Sequence, residues 1–65
     1  MKILINDLPH TLPPESKLVD ALRLINAEPP FAAAVNRQFV PRSSYASHTL
    51  HADDRIEVIR PVTGG

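Results

Sequence analysis

An α+β fold, with one helix packed across a mixed sheet of four to five strands, is predicted by three observations. Hydrophobic periodicity along the chain runs from two residues, to the helical period, and back to two. Prolines separate these blocks at Pro9, Pro13-Pro14, Pro29-Pro30, Pro41 and Pro61. The helical block carries one apolar stripe, and the strands are the only surface on which it can be buried.

The chain of 65 residues allows one domain, residues 1–65, with a flexible tail over 61–65. Met1 to Asn6 reads as the first strand, with Met1, Ile3 and Ile5 facing the core and Lys2, Leu4 and Asn6 facing out. Asn6-Asp7 is turn chemistry, since both residues tolerate left-handed backbone. A return strand from Pro9 to Leu12 closes a hairpin; because Pro9 has no N–H to donate, that strand is expected to be an edge or to begin at Pro9. Ser16 is the expected N-cap of a helix of about ten residues, too short to be stable alone. Leu18, Ala21, Leu22 and Ile25 form its stripe, Asn26 suits its end, and Pro29-Pro30 forbids continuation.

Phe31 to Asn36 is the next strand, followed by a polar turn at Asn36-Arg37-Gln38 and a short strand at Phe39-Val40. Arg42 to Thr49 is read as irregular, anchored by Tyr45, with Leu50 returning to the core. Ala52-Asp53-Asp54 turns the chain into a last strand, Arg55 to Arg60, with Ile56 and Val58 on one face. A hairpin, a crossover helix and a strand returning parallel to the first make a β-grasp arrangement. The right-handed crossover rule places either the third strand or the last beside the first.

Composition excludes several functions. Seven Lys+Arg balance seven Asp+Glu, so no basic excess exists for nucleic acid or an anionic membrane. Without cysteine there is no disulfide framework, no thiolate zinc site and no thiol nucleophile, and a cytoplasmic location is expected. The longest apolar run, Phe31 to Val35, is five residues, far short of a membrane span. No secretory signal is expected at the start. His48 and His51, with Asp53 or Asp54 nearby, lie in a segment that does not fix ligand spacing, so no metal is expected. A chain this small offers little room for an enclosed substrate pocket, and it is not expected to be an enzyme.

The two glycines of the chain are its last two residues, Gly64 and Gly65, while the internal turns use Asn, Asp and Pro. Glycine is thus missing where folding usually wants it and present where folding needs nothing. A Gly-Gly end has no side chains and can thread a narrow channel in a partner. The carboxylate of Gly65 is then the group that reaches the partner's active site, with Gly64, Thr63 and Val62 setting access. A carboxylate becomes an acyl donor once ATP converts it to an acyl adenylate. A sulfur nucleophile can displace AMP and leave a thiocarboxylate.

With that tail, the start Met1-Lys2-Ile3-Leu4-Ile5-Asn6, the block Ala34-Val35-Asn36-Arg37-Gln38-Phe39-Val40-Pro41-Arg42 and the position of Tyr45, the chain resembles the ThiS family of sulfur carriers of thiamine biosynthesis. That family lies within the ubiquitin-like β-grasp superfamily, and the resemblance spans essentially the whole chain. It implies adenylation of Gly65 with ATP by a ThiF-type enzyme, sulfur supplied through a persulfide donor, and delivery to a ThiG-type thiazole synthase. No cofactor is expected to be bound, and the free chain is expected to be a monomer. Asp53-Asp54 departs from the Gly-Asp that the family commonly has before the last strand. Pro61 is a second departure and is expected to stiffen the tail's exit. The alternatives are a carrier for molybdopterin synthase and a ubiquitin-like interaction module without acyl chemistry.

Leu4 and Ile59, apolar residues on otherwise polar strand faces, are candidates for a docking patch near the tail. Arg42 is a further candidate for partner contact.

Overall fold

Residues 1–60 are described by a computed structural model of the chain; the expectations for Pro61 to Gly65 lie outside the described residues. The elements are β1 (Lys2–Ile5), β2 (Leu8–Thr11), α1 (Leu18–Leu24), β3 (Ala32–Val35), β4 (Gln38–Val40) and β5 (Arg55–Ile59), with a 3-10 turn at Arg42–Ser44. They form one five-stranded sheet in the order β2-β1-β5-β3-β4, with α1 across one face. This is the β-grasp arrangement. Of the two strands eligible to lie beside β1, it is β5 that does so, running parallel to it with Ile5 opposite Ile56. β5 is therefore the central strand.

The hairpins β1–β2 and β3–β4 are built alike. Each has a two-residue turn in which both residues are left-handed: Asn6 and Asp7 (φ 50° and 67°), and Asn36 and Arg37 (φ 50° and 68°). Such turns match the twist of the flanking strands. Asparagine at the first position also does something the sequence alone did not reveal. The Asn6 side chain accepts the Val58 N–H at 2.9 Å and donates to the Val58 carbonyl at 3.4 Å. The Asn36 side chain accepts the Arg55 N–H at 3.0 Å and donates to Asp54 at 3.0 Å. The two hairpin turns thus hold opposite ends of β5.

The core comprises Ile3, Ile5, Leu12, Leu18, Ala21, Leu22, Ala33, Val35, Val40, Leu50 and Ile56, with Met1, Ile25, Tyr45 and Val58 packed partly buried against it. The expected inward faces of β1 and β5 and the helix stripe are all present. Pro9 sits on an edge strand, paired with Leu4.

The helix start differs from expectation. Ser16 is not an N-cap: its hydroxyl donates to the Pro13 carbonyl at 2.7 Å, and its own carbonyl accepts from Leu50 at 2.8 Å. Lys17 occupies the cap position, and its N–H donates to the Asp20 carboxylate at 2.8 Å. The next two orphan donors, Leu18 and Val19, go to the carbonyls of His48 and Tyr45 at 2.8 and 3.0 Å. The segment read as irregular therefore caps the helix by tertiary contact, which local pattern cannot show. At the other end Asn26 is left-handed (φ 53°). Ala27 N–H donates to Leu22 O at 3.0 Å and Asn26 N–H to Arg23 O at 3.1 Å, the paired bonds of a Schellman stop.

Candidate functional site at the end of the central strand

The central strand decides where Arg60, the last described residue, stands. Its last residue, Ile59, pairs with Ala32, the first residue of β3. The Asn6 clamp on Val58 stands on the other side. Arg60 therefore follows at the end of the sheet that carries the Asn6-Asp7 turn and Phe31. Val62, Thr63, Gly64 and Gly65 lie outside the described residues.

Ile59 is 56% exposed on the sheet face opposite α1, and Phe39, on edge strand β4, is 70% exposed. Ladder partners share a face, so Ala32 with Ile59, and Ala34 with both Phe39 and Glu57, lie on that outer face. Between the two large side chains the alanines leave a shallow depression, with Arg37 and Glu57 at its border. Leu4 is on the same face, half-buried, but opposite Arg55. Four residues along β5 separate that position from Ile59, about 13 Å at ~3.3 Å per residue. The structure thus groups Ile59 with Phe39 rather than with Leu4. Phe39 was missed as a surface candidate. The signal was its alternation with Val40, whose burial forces its neighbour to the opposite face.

Arg42 lies elsewhere, on the helix side, where it opens the 3-10 turn and borders a cavity with Phe31 and Tyr45. His48 and His51 do not converge on a ligand set, and among the described residues no group of three or more His, Asp or Glu is placed to hold a metal. His51 Nδ1 stands 4.0 Å from Asp54, whose carboxylate also accepts the His51 N–H at 2.8 Å. The residue Asp53 is left-handed (φ 69°), as expected of a position where the resembled family carries glycine. Among the described residues no helix is long and apolar enough to cross a membrane.

The thiamine biosynthesis protein (ThiS) from Geobacter metallireducens superposes on this chain with a TM-score of 0.83 at 17% identity, covering 100% of both chains. That likeness shows the fold. No curated protein matches the chain significantly in sequence. The model of the ThiS family matches residues 3–65, nearly the whole chain and its Gly-Gly end included, and the chain belongs to the ThiS family.

Proposed function

We propose that this chain is a sulfur carrier of thiamine biosynthesis, acting through the carboxylate of Gly65. The observation that carries this reading is family membership over residues 3–65, a match that runs through the terminal Gly-Gly. The fold supports it by ending its central strand at one rim of the sheet, from which six further residues reach at most about 22 Å. That is enough to enter a partner's active site while the domain stays outside.

In the reaction a ThiF-type enzyme forms the acyl adenylate from the Gly65 carboxylate and ATP, releasing pyrophosphate. The terminal sulfur of a persulfide donor attacks the acyl carbon and displaces AMP to give an acyl disulfide. A partner thiol then cleaves its S–S bond, forming a disulfide and leaving the carrier as the thiocarboxylate. A ThiG-type thiazole synthase then takes the sulfur. The chain supplies the reacting atom, and the partners supply the catalysis. Gly64, Thr63 and Val62 govern access, and Ile59 and Leu4, joined by Phe39, contribute docking surface on the outer sheet face.

Intact mass spectrometry of the chain from its own cells tests this. A fraction heavier by the exchange of one oxygen for sulfur is expected, absent when Gly65 is deleted. Thiamine synthesis sustained by a Gly65-deleted chain as the sole copy overturns the reading.

A further inference from the structure

A cavity of about 670 Å³ opens between α1 and the chain entering β3. Leu22, Pro30, Phe31 and Tyr45 give it an apolar wall, and Arg23 and Arg42 stand at it. The Phe31 and Tyr45 rings are stacked, centroids 5.9 Å apart and planes 8° from parallel, so the wall is a preformed flat surface. Neither guanidinium has a carboxylate within ion-pair distance among the described residues. Among the described residues Glu28 is the one acidic residue lining the cavity, against two arginines, so that lining has a positive excess.

The position of the groove narrows its occupant. Ile59 pairs with Ala32, and Phe31 is the residue before it. The central strand therefore ends, and Arg60 follows it, at the rim beside the groove. A protein that draws the tail into its own active site must stand over this rim of the domain.

We propose that the groove is a second docking surface, seating an apolar side chain flanked by carboxylates from an enzyme that takes the tail. The inference rests on the carrier reading above and adds a contact on the helix side, separate from Ile59 and Phe39 on the outer sheet face. Apolar burial against Phe31 and Tyr45 anchors the partner, and Arg23 and Arg42 orient it and reject basic surfaces. Arginine suits this role because its planar fork meets a carboxylate with two bonds.

The test uses the full chain with purified ThiF-type and ThiG-type enzymes. The double variant Arg23→Glu/Arg42→Glu alters exposed side chains and is checked by thermal melting. Pyrophosphate exchange against carrier concentration reads the first enzyme, and direct titration reads the second. With at least one enzyme, half-saturation is expected to move by about tenfold or more while the rate at saturation holds. The difference should collapse near 1 M salt, where the screening length is about 3 Å. Arg23→Lys/Arg42→Lys should lie between the variant and the wild type. Unchanged affinity for both enzymes, with the wild type still adenylated, overturns the groove proposal alone. Tighter binding by the charge-reversed chain also overturns it, because the chain's own terminal carboxylate would then be the occupant. A wild type that neither enzyme takes overturns the carrier reading and the groove with it.

Discussion

Asn6 and Asn36 each meet two requirements with one side chain. Their backbones take the left-handed conformation a two-residue hairpin turn demands, and their amides hold the central strand. Glycine would satisfy the first requirement and abolish the second, so the two roles can be separated. Asn36→Gly is expected to destabilise the chain by about 1–3 kcal/mol, since it removes two hydrogen bonds worth roughly 0.5–1.5 kcal/mol each. Urea unfolding measures this, and an unchanged midpoint would mean the amide bonds contribute nothing beyond the turn. Asp53 gives the opposite case. Its left-handed backbone carries a Cβ, and the side-chain hydrogen bonds in that turn are accepted by the Asp54 carboxylate, none by Asp53. Asp53→Gly should therefore stabilise by on the order of 1 kcal/mol. In a domain this size that raises the thermal midpoint by roughly 4–8 °C.

At the scale of elements, α1 has seven residues and borrows its stability from what it touches. Its stripe is buried by the sheet, and two of its first N–H groups are taken by His48 and Tyr45. Leu22, 5% exposed, sits in that stripe. Leu22→Ala should cost about 2–5 kcal/mol, much of the stability of a small domain. Thermal or urea unfolding reads the loss, and an unaltered midpoint would contradict the burial of the stripe. Helix and irregular segment are also tied by the Lys17 ammonium, which donates to the Thr49 hydroxyl at 2.6 Å. The two should therefore gain and lose amide-exchange protection together.

For the whole molecule, folding and chemistry are expected to separate at the rim where β5 ends. Deleting Gly65 withdraws the carboxylate by about 3.3–3.6 Å, and a displacement of 1 Å alone can cost ~100-fold in a positioned reaction. Adenylation by the ThiF-type enzyme should be lost while the melting curve stays that of the wild type. A C-terminal tag should have the same effect, because it places the carboxylate in a peptide bond. Ile59→Asp and Phe39→Asp change exposed side chains outside the core. Each should weaken docking by about tenfold without lowering the thermal midpoint, and Leu4→Asp should have the smaller effect on docking because Leu4 lies far from the tail's exit. Equal affinities for wild type and all three variants would remove the outer sheet face from the interface.

Much of this molecule was legible in local pattern. Alternation placed Ile3, Ile5, Ile56 and Val58 inward, the helical period placed Leu18, Ala21 and Leu22, and proline and asparagine marked the ends of elements. These signals are short-range, so one sequence carries them. The Gly-Gly end and the Val35 to Arg42 block pointed to the family by the same local reading. What required the tertiary structure was every relation between distant segments. Sequence left two strands eligible to lie beside the first; the closed core selected β5, because that order lets α1 cover Ile5, Ile56 and Val35 together. Ser16 looked like a helix cap, but carbonyls about thirty residues away satisfied the helix instead. Leu4 and Ile59 share a face, yet register sets them apart and brings Phe39 toward Ile59. Hydrophobic periodicity specifies which face a residue takes. Which residues become neighbours on that face is decided by strand order and register, and those exist only once the whole sheet has closed.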